Sequence, residues 1–206
     1  MQILSRLSRG KAPGPELDSL DIFIKMAGLN RRPIVKNEHC RINPTTLATF
    51  FTIIANGEVS PAIRTMLQTT YLVALEKDPS NKQKLRPLGI PSAIRRITAV
   101  CIISKYRATF AEHLLPFNYA LGVSGDVDFV VNTVRLGVDK YISEPERNGN
   151  SPTRSLISLD ISNMFNAVLR QKCGEIIATN FPELQDFIDM LYQDKGQTLV
   201  RKDDGT

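Results

Sequence analysis

An α+β fold is the class this sequence predicts, on three observations. Most of the chain carries apolar residues at helical spacing, two short apolar runs flank a turn-rich segment, and one further apolar run ends in an aspartate. With 206 residues, 42% apolar and 23% charged, the chain is long enough to bury a core and ordinary enough in composition to fold.

The elements follow in order. Met1 to Glu16 is basic and rich in Gly, Pro and Ser, and reads as an arm rather than core. Asp18 to Ala27 suits a short helix. Asn43-Pro44 opens another, with Leu47, Phe50, Phe51 and Ile54 on one side and Gly57 ending it. Ser60-Pro61 is a start signal, a capping hydroxyl before a proline at the first helical position, and Ile63, Met66 and Leu67 then face inward. Tyr71 to Glu76 reads as a strand. Asp78-Pro79-Ser80-Asn81 is a turn, and Leu85 to Ile90 is the returning strand, interrupted by Pro87 and Gly89.

Ala93 to Leu115 reads as one long helix, through Ile94, Ile97, Cys101, Tyr106, Phe110 and Leu114, stopped by Pro116. Gly125 to Ile142 is a second, with Val127, Val130, Val131, Val134, Val138 and Tyr141 on one face. Glu144 to Thr153 is polar and is the best internal boundary. Ser155 to Asp160 reads as a short central strand. Helices follow from about Asn166 and from Pro182, and Thr198 to Arg201 begins a strand before an Asp204-Gly205 turn signal. A hairpin with one strand is an unusual domain end, so a fragment is expected.

The net charge is +5, and its distribution matters more than its size. From Pro79 to Ala111 there is no acidic residue, while Lys82, Lys84, Arg86, Arg95, Arg96, Lys105 and Arg107 fall in that window. Such a stretch suits a phosphate-rich partner or, equally, a solvated basic face. Cys40, Cys101 and Cys173 are odd in number and widely spaced, which implies no disulfide framework and a reducing, intracellular compartment. His39-Cys40 resembles half a zinc site, but no second pair stands at ligand spacing. No apolar run is long enough to cross a bilayer.

The sharpest segment is Leu159-Asp160-Ile161-Ser162-Asn163-Met164-Phe165-Asn166. A carboxylate at the end of an apolar strand needs a counter-charge, and Mg²⁺, which takes few protein carboxylates and accepts phosphate oxygens, supplies one. The competing reading is an aspartate capping the next helix. The segment resembles motif A of reverse transcriptases. That resemblance implies that Asp160 binds both catalytic metals, that the Ile161 carbonyl also binds metal, and that Phe165 lies under the nucleotide sugar and excludes a 2′-hydroxyl, a repulsive device for selecting dNTP.

A second stretch, Tyr71 to Lys77 followed by Lys84-Leu85-Arg86-Pro87-Leu88-Gly89-Ile90-Pro91, is similar to the fingers hairpin of group II intron and non-LTR retrotransposon reverse transcriptases. The resemblance implies that Arg86 and Lys77 hold the incoming triphosphate, a role that suits the planar fork of arginine. Arg95 and Arg96 would open the next helix, placed either for template or primer phosphates or for solvent. Gly10-Lys11-Ala12-Pro13-Gly14-Pro15, Asn118-Tyr119-Ala120-Leu121-Gly122 and Ser124-Gly125 resemble upstream family strings in the same order.

The resemblance thus implies part of a right-hand polymerase. Residues 1–42 would be an N-terminal extension, 43–153 the fingers and 154–206 a partial palm, with RNA template, DNA primer and dNTP as partners and two Mg²⁺ ions as cofactors. The aromatic-x-Asp-Asp of motif C does not occur in the chain; Asp203-Asp204 lacks the aromatic two places earlier. The fragment is therefore expected to be inactive alone. The competing expectations are a non-catalytic reverse-transcriptase relic or RNA-binding module and, third, an RNA-dependent RNA polymerase.

Overall fold

A computed structural model describes residues 4, 7, 10, 14, 15, 20–27, 42–76, 80, 85–121, 125–141, 157–161 and 164–200. Its elements are helices with one small sheet: α1 (Leu20–Met26), α2 (Pro44–Ala55), α3 (Pro61–Gln68), β1 (Thr70–Glu76), β2 (Leu85–Pro91), α4 (Ala93–Lys105), α5 (Arg107–Leu114), α6 (Asp126–Tyr141), α7 (Met164–Ala167), α8 (Arg170–Asn180), a 3₁₀ turn (Pro182–Leu184), α9 (Gln185–Tyr192) and β3 (Thr198–Val200). Among the described residues no helix is long and apolar enough to cross a membrane.

The chain divides into two compact units. The first joins Met1–Ile102 to Leu169–Thr206, and the second is Ile103–Val168.

In the first unit, local chemistry sets the helix starts. The Asn43 side chain accepts from the Thr45 amide at 2.9 Å, with Pro44 at the first helical position. Ser60 does the same for α3, accepting from the Ile63 amide at 3.4 Å ahead of Pro61. Two apolar clusters form behind them. Leu4, Leu20, Phe23, Leu47, Phe51, Ala93 and Ile97 make one, with Phe23 and Phe51 rings 5.9 Å apart. Ile54, Leu67, Phe187, Met190 and Leu191 make the other, and Ile94 packs against both. The buried Gln68 side chain donates to the Met190 carbonyl at 2.7 Å, tying α3 to α9.

Three expectations are corrected by this core. Leu4 belongs to it, so the basic arm carries an apolar anchor. Phe50 and Ile63 are exposed rather than inward, because each helix buries a stripe narrower than its apolar content.

The sheet order is β2-β1-β3. β1 and β2 pair antiparallel from Thr70↔Pro91 to Glu76↔Leu85, and β3 pairs parallel to β1 from Thr70↔Thr198 to Leu72↔Val200. β2 is an edge strand, so Pro87, opposite Ala74, lacks an N–H without breaking an inner ladder, and the strand runs through both Pro87 and Gly89 to Pro91. The base of the hairpin is half-buried and its far end is exposed.

Gly57 closes α2 at φ +70, and a Cβ there would meet the Asp186 carbonyl oxygen at 2.9 Å. Gly57→Ala therefore combines left-handed strain with a backbone clash. It is expected to destabilise the chain by about 2 kcal/mol, read as a lower urea midpoint with an unchanged slope.

The long helix expected from Ala93 to Leu115 is two. The chain leaves helical geometry at Tyr106, where ψ is 12°, and α5 begins at the next residue. The α6 stripe is helical as expected, but Val127, Val130, Val131 and Val134 are exposed; period alone places residues on a face and burial needs something packed on it. Tyr119 and Phe129 stack with ring centres 5.0 Å apart.

The central strand expected at Ser155 to Asp160 is not formed over its described part. Residues 157–161 have no regular structure, and Ile157, Leu159 and Ile161 are 74%, 86% and 64% exposed. A strand exists only against a neighbour that takes its N–H and C=O groups, and among the described residues none runs beside this segment.

Candidate nucleotide and nucleic-acid sites

Asp160 and Ile161 lie in the second unit and are exposed. Among the described residues, no side chain is hydrogen-bonded or ion-paired to the Asp160 carboxylate. Asp160 stands four positions ahead of α7, so it is not the residue that caps that helix. Phe165 falls within α7, and its side chain is outside the described set. Among the described residues no three His, Cys, Asp or Glu side chains gather to hold a metal ion. The donor set at hand is one free carboxylate and one backbone carbonyl, which matches part of a Mg²⁺ shell and not the whole of it.

Arg86, Arg95 and Arg96 lie in the first unit. Arg86 sits on β2 opposite Leu75, one pair in from the far end of the hairpin, with its side chain exposed. The strand alternation sends its side chain to one face of the sheet. Lys77, Lys82 and Lys84 lie outside the described residues, as do His39-Cys40 and Asp203-Asp204.

Arg95 is placed by a cap. The fully buried Ser92 accepts the Arg95 amide on its Oγ at 3.0 Å, which starts α4 with Arg95 in its first turn. The Arg95 guanidinium donates through Nη2 to the Tyr192 hydroxyl at 2.9 Å, with its carbon 5.3 Å from the ring centre. Arg170, the first residue of α8, places its guanidinium carbon 6.0 Å from the same ring. Arg96 is half-buried. No local pattern points to Tyr192 or Arg170, because 97 positions separate Arg95 from Tyr192 and only tertiary packing joins them.

A cleft of about 410 Å³ opens elsewhere in the first unit, lined by Arg64, Thr65, Gln68, Asp194, Lys195 and Gln197 among others. Gly196 holds its wall close, since a Cβ there would meet the Gln68 carbonyl oxygen at 2.7 Å. None of the candidate nucleotide, metal or nucleic-acid residues named from the sequence lines it. Of the cysteines, Cys101 is half-buried, and burial pushes its thiol above the ordinary range; Cys173 is exposed.

Comparison with protein-family profiles, with curated proteins and with solved structures finds no match to the chain.

Proposed function

We propose that this chain carries the fingers hairpin and the motif A carboxylate of an RNA-directed DNA polymerase. The observation that carries the reading is the β1–β2 hairpin: the stretch resembling the fingers of retrotransposon-type enzymes forms a continuous antiparallel ladder with Arg86 exposed near its far end. Among the described residues the Asp160 carboxylate has no partner, which is consistent with the same reading.

In the complete enzyme, two Mg²⁺ ions would supply activation of the primer 3′-hydroxyl and charge neutralisation at the pyrophosphate. The chain's own residues do the rest. Asp160 and the Ile161 carbonyl offer oxygen ligands. Arg86 and Lys77 orient and neutralise the triphosphate of a dNTP. Phe165 closes the space a ribose 2′-hydroxyl would need. Positioning and electrostatics carry most of the rate in phosphoryl transfer, so few chemical groups are required.

The test is primer extension on an RNA template by the chain together with whatever its reading frame encodes downstream. Extension with dNTP and not with ribonucleotides is expected, and Phe165→Ala should admit ribonucleotides. A reading frame that encodes no aromatic-x-Asp-Asp, with a product that binds RNA but extends nothing, would replace this proposal with the non-catalytic relic.

A further inference from the structure

We infer that Arg95, Arg170 and Tyr192 form a contact site for single-stranded nucleic acid, with the two guanidinium groups taking phosphodiester oxygens and the tyrosine ring offering a stacking face. This rests on the nucleic-acid reading proposed above and adds to it a site built from α4, α8 and α9.

Two guanidinium carbons lie 5.3 and 6.0 Å from the centre of one ring, so two like charges are gathered on a single aromatic side chain. Among the described residues neither arginine takes part in an ion pair. A tether between α4 and α9 needs only one of them, and Arg95 already provides it through the Tyr192 hydroxyl. Arg170 brings a second cation to the same ring, and an anion lodged near both is attracted to each.

Geometry favours a nucleic-acid strand over a simple ion. Tyr192 remains 44% exposed with both arginines against it, so a flat apolar surface and two forked donors are presented together. That pairing fits a base beside its phosphate, and bases stack on aromatics with little regard to sequence. The bond to the Tyr192 hydroxyl holds the Arg95 guanidinium, and Arg170 reaches the same ring from the first turn of α8.

The test is fluorescence anisotropy of a short labelled oligouridylate bound to the full chain across roughly 50 to 200 mM salt. Wild-type affinity should fall with salt. Arg170→Gln, a surface change that leaves both apolar clusters alone, should weaken low-salt binding about fivefold and lower the log–log salt slope by about 0.7, the value for one phosphate on a single strand. Arg170→Lys should restore the slope. Tyr192→Leu should weaken binding about tenfold at every salt with little change in slope. Arg170→Gln binding with wild-type affinity and slope would overturn the site, as would polyglutamate competing as well as the oligonucleotide at equal charge. Primer extension is read separately: extension with normal Arg170→Gln binding removes this site and leaves the polymerase reading standing, while intact patch behaviour without extension does the reverse.

Discussion

Asp160→Asn is expected to abolish primer extension by the complete enzyme, lowering the rate by at least about a thousandfold. The substitution keeps the size of the side chain and one oxygen and removes the charge. The carboxylate would help hold divalent cations, and those cations would supply neutralisation of the negative charge on the transferring phosphoryl oxygens, an effect worth several kcal/mol. Each 1.36 kcal/mol lost is about tenfold in rate, so losing roughly 4 kcal/mol gives the stated factor. The exposure of Asp160 makes the experiment clean, since among the described residues its carboxylate holds no fold-stabilising partner. The measurement is single-turnover extension beside a thermal melt. An unchanged melt with lost extension supports a metal-binding carboxylate. Extension within a few-fold of wild type would remove Asp160 from the chemistry and take the polymerase proposal with it.

Leu67→Ala is expected to be the most damaging change to the fold, at about 2–5 kcal/mol. Leu67 is fully buried at the end of α3, among Ile54, Phe187, Met190 and Leu191. Truncation removes the transfer free energy of three carbons and leaves a void that rigid helices on both sides close poorly. The neighbouring Gln68 adds to the cost, since its bond to the Met190 carbonyl depends on α3 and α9 keeping their spacing. Natural domains have only about 5–15 kcal/mol in hand, so a loss of this size puts a measurable fraction of the chain in the unfolded state. Chemical denaturation should show a lower midpoint. By contrast Ile63→Ala, on the exposed side of the same helix, should change it by less than about 0.5 kcal/mol.

The contrast between Leu67 and Ile63 also shows how far the sequence could be read. Elements governed by their own residues were legible. Asn43-Pro44 and Ser60-Pro61 start helices because a side-chain oxygen and a proline act within one turn, and the hairpin from Thr70 to Pro91 follows from two apolar runs and a turn between them. Elements governed by distant partners were not. Ser155 to Asp160 reads as a strand because it is mostly apolar, yet apolar content does not provide the neighbour a ladder needs. Leu4 looked like part of a solvated arm because its neighbours are basic, and only the helices it meets make it core. At the candidate sites, Asp160 and Arg86 were found by resemblance, whereas the pairing of Arg95 with Tyr192 spans too much chain for any local pattern to betray.

The parallel pairing of β3 with β1 sets an order on how the protein comes into being. Thr70 leaves the ribosome well before Thr198, its ladder partner. The hairpin can zip as soon as Pro91 has emerged, but one flank of β1 stays open while the whole of Ile103–Val168 is made. During that interval an open strand edge is available to other chains, the usual route to mispairing.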